Sequence, residues 1–104
     1  EKDILENIKN YVDFHYEKDL TQEFVASLFR LNRSYLSSAF KARTGTSFVD
    51  YVNQVRISHA KEMLKKTDKK TYQIAQAVGY ENAKYFFRVF KKMEGITPEQ
   101  YRNQ

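Results

Sequence analysis

Cysteine is absent from this 104-residue chain, and there are only 3 glycines and 1 proline. Without cysteine there are no disulfides, no thiolate nucleophile and no Cys-based zinc site, a composition that suits a reducing cytoplasm. Scarce glycine and proline argue against a turn-rich sheet protein and for helices joined by short connections. No apolar run approaches the roughly 20 residues that a membrane helix needs, and no signal peptide is visible. The two histidines, His15 and His59, lack a ligand cluster, so neither a metal nor another cofactor is expected. The first residue is Glu1, not Met, which suggests a domain cut from a longer protein.

What is present suffices for a core: 41% hydrophobic and 15% aromatic residues, in a length suited to one domain or two very small ones. The net charge of +5 is unevenly spread. Residues 1–23 hold seven acids against three lysines, whereas no acid falls between Glu23 and Asp50. A second acid-free stretch runs from Lys84 to Lys92 and holds Lys84, Arg88, Lys91 and Lys92. Two basic stretches suggest a polyanionic partner, and charge alone leaves a solvated basic face open. In "VGYENAKYFFRVFKK" (78–92) aromatic and basic residues interleave, as in a stacking platform for single strands or in a helix with one buried and one basic face.

The chain matches itself at a spacing of fifty. "SYLSSAFKARTGTSFVDYV" (34–52) lies over "KYFFRVFKKMEGITPEQYR" (84–102), pairing Tyr35 with Tyr85, Phe40 with Phe90 and Gly45 with Gly95. Upstream, "FVASLF" (24–29) resembles "QIAQAV" (73–78) once one residue is inserted in the second copy. Each copy reads as a short helix, a tight turn and a longer helix. Gly79 suits a left-handed residue after a helix end, and Arg30 occupies its place in the first copy. Asn32 and Asn82 are placed to cap the longer helices; Leu36, Phe40, Phe86, Val89, Phe90 and Met93 form their apolar stripes.

The remaining segments are helical too. Ile4, Leu5, Ile8, Tyr11, Val12 and His15 share a face over residues 3–16. Ser47 and Asp50 open a helix to residue 66, with a stripe of Phe48, Val52, Val55, Ala60, Met63 and Leu64. Thr97, Pro98 and Gln100 start a last short one. The expectation is an all-α fold of seven helices: a first helix-turn-helix unit (1–45), a linker helix (46–66) and a second unit (67–104). At 1.5 Å per residue the linker spans about 30 Å, close to the roughly 34 Å between successive major grooves.

"IAQAVGYENAKYFFRVFKKMEGITPEQYR" closely resembles the signature end of the AraC/XylS family of bacterial transcription regulators, whose DNA-binding domain has two helix-turn-helix units bridged by a long helix. The likeness covers essentially the whole chain and is nearest to regulators in which this domain follows a response-regulator receiver module. It implies sequence-specific binding to a promoter or operator in duplex DNA, contact with RNA polymerase, a cytoplasmic location, and an N-terminal sensor, receiver or dimerisation region. By position it implies base-facing places at Ser34, Ser37 and Ser38, flanked by Arg33 and Lys41, and at Asn82, Ala83, Lys84, Phe87 and Arg88. Ser37 and Ser38 depart from the family, where longer side chains are often found, so less discrimination is expected of the first unit.

Each assignment has a plainer counterpart. Arg88 can pair with guanine or hold a phosphate. Asn82 can read adenine or only cap its helix. Phe87 points about 100° from Phe86 and can meet thymine methyls or pack against the preceding helix. Lys41, Arg43, Lys91 and Lys92 suit phosphate or solvent; Thr21 and Thr71 suit phosphate contact or plain N-capping. The alternative function is a helical protein-interaction module whose basic patches meet an acidic partner. Catalysis is not expected: carboxylates are scattered, and repair proteins resembling this domain transfer alkyl groups to a cysteine that this chain lacks.

Overall fold

The computed structural model describes residues 2–104, with side chains from residue 4 onward, and among these every regular element is an α-helix. Glu1 and the side chains of Lys2 and Asp3, part of the acidic first stretch, lie outside the described residues. The helices are α1 (Lys2–Phe14), α2 (Gln22–Leu28), α3 (Arg33–Thr44), α4 (Phe48–Lys66), α5 (Thr71–Ala77), α6 (Ala83–Glu94) and α7 (Pro98–Arg102). The chain divides into two compact units, Glu1–Asn53 and Gln54–Gln104, and the division falls within α4.

In the first unit, Leu5, Ile8 and Val12 of α1 are buried with Val25, Ala26, Leu36, Phe40, Phe48 and Val52. Phe40 meets Phe48 edge-on at 5.6 Å and Tyr51 at the same distance. Tyr51 donates its hydroxyl to Asp13 Oδ1 at 2.7 Å, tying α4 to α1. His15 lies beyond the end of α1, its ring 4.4 Å from Tyr11. Leu28, in the apolar run before the first turn, is 48% exposed.

In the second unit, Ile57, Ala60 and Leu64 of α4 are buried with Ile74, Ala75, Val78, Tyr80, Phe86, Val89 and Phe90. Ile57, absent from the stripe read off the sequence, is buried, whereas Val55 and Met63 are only partly so. Phe90 stacks edge-on with Tyr101 of α7 at 5.8 Å, and the Arg56 guanidinium lies 5.1 Å from the Tyr80 ring. Arg102 donates from Nε to the Leu64 carbonyl at 3.0 Å and from Nη2 to that of Thr67 at 3.1 Å, satisfying acceptors that the end of α4 leaves unpaired.

The two turns close alike. Leu31 N–H donates to the Ala26 carbonyl at 2.8 Å and Tyr80 N–H to that of Ala75 at 2.9 Å, so each short helix ends on a left-handed residue. In the second turn it is Gly79, at φ 109°. In the first it is Arg30, at φ 59°, where a side chain costs about 1–2 kcal/mol. Gly45 and Gly95 end α3 and α6 in the same left-handed region, at φ 78° and 83°. From leading helix to second helix, the second turn is one residue longer than the first.

Candidate nucleic-acid interface

Two helices present one face to the core and the other to solvent. On α3, Leu36 and Phe40 are fully buried, while Arg33, Ser34, Ser37, Ser38 and Lys41 are exposed. Asn32 caps the helix, its Oδ1 accepting the Tyr35 N–H at 2.9 Å. Arg33 is the first helical residue, and its Nη1 lies 3.4 Å from Glu23 Oε2 on α2. The pairing is not legible in the sequence: ten positions and a turn separate Glu23 from Arg33, and no motif spacing joins them.

On α6, Phe86, Val89 and Phe90 are buried and Lys84, Phe87 and Arg88 exposed, with Ala83 half-buried. Asn82 caps the helix through Oδ1, which accepts the Tyr85 N–H at 3.2 Å. Capping uses the oxygen that bidentate pairing with adenine would need. Phe87 has its ring 5.6 Å from that of Phe86 yet is 37% exposed, so it leans on the core and still shows an edge to solvent. Arg88 lies over the ring of Tyr85, one turn earlier, at 5.6 Å. The stretch that opened as a choice between stacking platform and amphipathic helix is the latter in its geometry.

Among the residues suited to phosphate, Lys41 and Arg43 close α3 and Lys91 and Lys92 close α6, where cations also complement the helix dipole. Thr21 caps α2, its Oγ1 accepting the Phe24 N–H at 3.1 Å. Thr71 does not cap α5. It is the first helical residue and half-buried; Lys70 holds the cap position, its N–H donating to Gln73 Oε1 at 2.9 Å. The leading helices align at a spacing of 49, not 50, so Lys70 stands where Thr21 does. Among the described residues no group of His, Cys, Asp or Glu could hold a metal ion, and no helix is long and apolar enough to cross a membrane.

A family model described as a helix-turn-helix domain matches residues 25–104. An uncharacterized HTH-type transcriptional regulator of Bacillus subtilis, YtdP, is 42% identical over 99% of this chain and 13% of its own length. The C-terminal domain of AraT, a response regulator from Geobacillus stearothermophilus, superposes with a TM-score of 0.92 at 36% identity, covering 96% of this chain and 84% of that one. The DNA-binding domain of AdpA, solved in complex with a target DNA, shares the fold with a TM-score of 0.88 at 19% identity, over 95% of this chain and 89% of that one. The chain spans 13% to 36% of the length of three curated regulators that it matches.

Proposed function

Because the chain belongs to the AraC/XylS-type helix-turn-helix family of transcription regulators, we propose that it grips duplex DNA with α3 and α6 in successive major grooves of one asymmetric site. The observation that carries this is the duplicated placement of a capped, outward-facing basic helix after a left-handed turn, in both units. A helix-turn-helix reads base edges with its second helix. Arg33, Ser34, Ser37 and Ser38 are the first unit's reading set, and Ala83, Lys84, Phe87 and Arg88 the second's, with Asn82 mainly a cap. Lys41, Arg43, Lys91, Lys92 and Thr21 supply backbone contacts, which position without specifying.

The 19 residues of α4 amount to about 28 Å of helix, which suits adjacent grooves and a site of roughly 17–20 base pairs, with some bending of the DNA. In the whole protein, an N-terminal receiver or other sensory region supplies the signal, and RNA polymerase is the onward partner in the cytoplasm.

Selection of bound sequences from a random duplex library, followed by affinity against salt, tests this. An asymmetric consensus and a steep negative log–log slope are expected. A slope near zero sinks it, and would favour an acidic protein partner that protects 33–43 and 82–92 from hydrogen exchange.

A further inference from the structure

We propose that Glu23 is a positioning residue that aims Arg33 at a base edge, so that the first unit's specificity depends on a carboxylate lying outside its recognition helix. The inference rests on the DNA-binding reading above and concerns how one contact in it is directed.

Arg33 begins α3, and residues near the start of a recognition helix are those that reach bases. Its guanidinium is a planar fork with five donors, and it discriminates guanine only when the fork is correctly oriented. Glu23 Oε2 lies 3.4 Å from Nη1, and the two side chains remain 60% and 66% exposed, so the guanidinium stays accessible to a ligand. An ion pair this exposed adds little to folding, so stability does not account for it. Covered by a duplex, the same pair loses water and its attraction strengthens. The carboxylate also repels phosphates, which disfavours Arg33 lying on the backbone of DNA of any sequence.

The charge of the two units fits this division. Residues 1–53 hold eight acids against seven bases, whereas residues 54–104 hold five acids against eleven. Lys41 and Arg43 remain for phosphates, but the first unit as a whole carries no positive surplus, so it gains more from directed contacts than the second. At the corresponding places of the second unit stand Tyr72 and Ala83, which cannot form such a pair.

The test compares the 104-residue chain with Glu23→Gln, Arg33→Gln and the double substitution, by selection from a random duplex library and by affinity for the selected and a random duplex at several salt concentrations. Glu23→Gln should reduce preference at one base pair by about fivefold or more, at the base pair that Arg33→Gln also affects. Random-duplex binding should stay equal or tighten, and the double substitution should add no further loss of preference. Glu23→Asp, which keeps the carboxylate, should retain part of the preference. An unchanged base profile overturns the proposal, as does a change at a base pair that Arg33→Gln leaves alone, which would make Glu23 itself a reader of cytosine. A uniform loss of affinity with a lowered melting temperature also overturns it, marking a structural role. If the unsubstituted chain shows no salt-dependent duplex binding, the DNA reading fails as well; if it binds and Glu23→Gln keeps the profile, this inference alone fails.

Discussion

The guanidinium carbon of Arg88 lies 5.6 Å from the centre of the Tyr85 ring, so this exposed cation of α6 rests on an aromatic face. Such contacts are worth about 0.5–1 kcal/mol at exposed sites. Replacing Arg88 with Lys is expected to keep the salt slope and lose most of the discrimination at one base pair, because the charge stays and the fork goes. Arg88→Ala should lose the same discrimination, about 1–3 kcal/mol, and lessen the salt slope by at most about one charge. Tyr85→Leu should cost about twofold to fivefold at the same base pair. Affinities for a set of duplexes differing at single positions measure all three. A loss spread evenly over sequences would assign Arg88 to a phosphate instead.

The left-handed turn of the first unit gives a stability prediction. Arg30 sits at φ 59° with its side chain exposed. Arg30→Gly is expected to raise the free energy of unfolding by about 1 kcal/mol, read from a denaturant midpoint. Gly79→Ala, at φ 109°, should lower it by at least as much.

That pair of turns also shows what the sequence could disclose. Short-range features were legible because their physics is local: the Asn32, Asn82 and Thr97 caps each bond a residue three positions on. The glycines and Arg30 stood out because one backbone conformation recurs in both copies. Thr71 misled because the copies are offset by 50 in α3 and α6 and by 49 before them. Contacts across long stretches of chain were invisible. Nothing in their spacing joins Tyr51 to Asp13, Arg102 to Leu64 or Glu23 to Arg33. Phe87 was undecidable because a helical angle gives direction, whereas its 37% exposure depends on what packs beside it.

Arg102 bridges the carbonyls of Leu64 and Thr67 from the end of α7. A hydrogen bond to a charged donor contributes about 1.5–3 kcal/mol, and less here because both carbonyls are only partly buried and water can replace the guanidinium. Arg102→Met, which keeps the stem and removes the fork, is expected to destabilise the chain by about 1–3 kcal/mol. Hydrogen exchange should quicken at the C-terminal turn of α4 and in α7 before it does in α6. A uniform change across the second unit would mean that α7 opens only together with the rest of that unit.

Two tyrosines make stability depend on alkaline pH. Burial pushes the Tyr51 hydroxyl well above its usual range, aided by its hydrogen bond to Asp13 and by the negative charge there. Tyr80 is raised too, chiefly by burial, with Arg56 opposing the shift. Each therefore binds its proton more tightly folded than unfolded, where an ordinary tyrosine titrates near 10. Below that pH both states are protonated and the stabilisation is fully present. As pH climbs beyond it the unfolded chain loses protons first, and stability falls progressively toward the folded values. Denaturant midpoints taken between pH 8 and pH 11 should accordingly decline above about pH 10. Asp13→Asn removes the carboxylate charge while leaving an acceptor in place, so Tyr51 should titrate at lower pH, as followed by the ultraviolet absorbance of tyrosinate. Burial, Arg56 and Tyr85 set the Tyr80 shift, so its titration should not move; a shift in both would show that the substitution loosens the fold instead of retuning one hydroxyl.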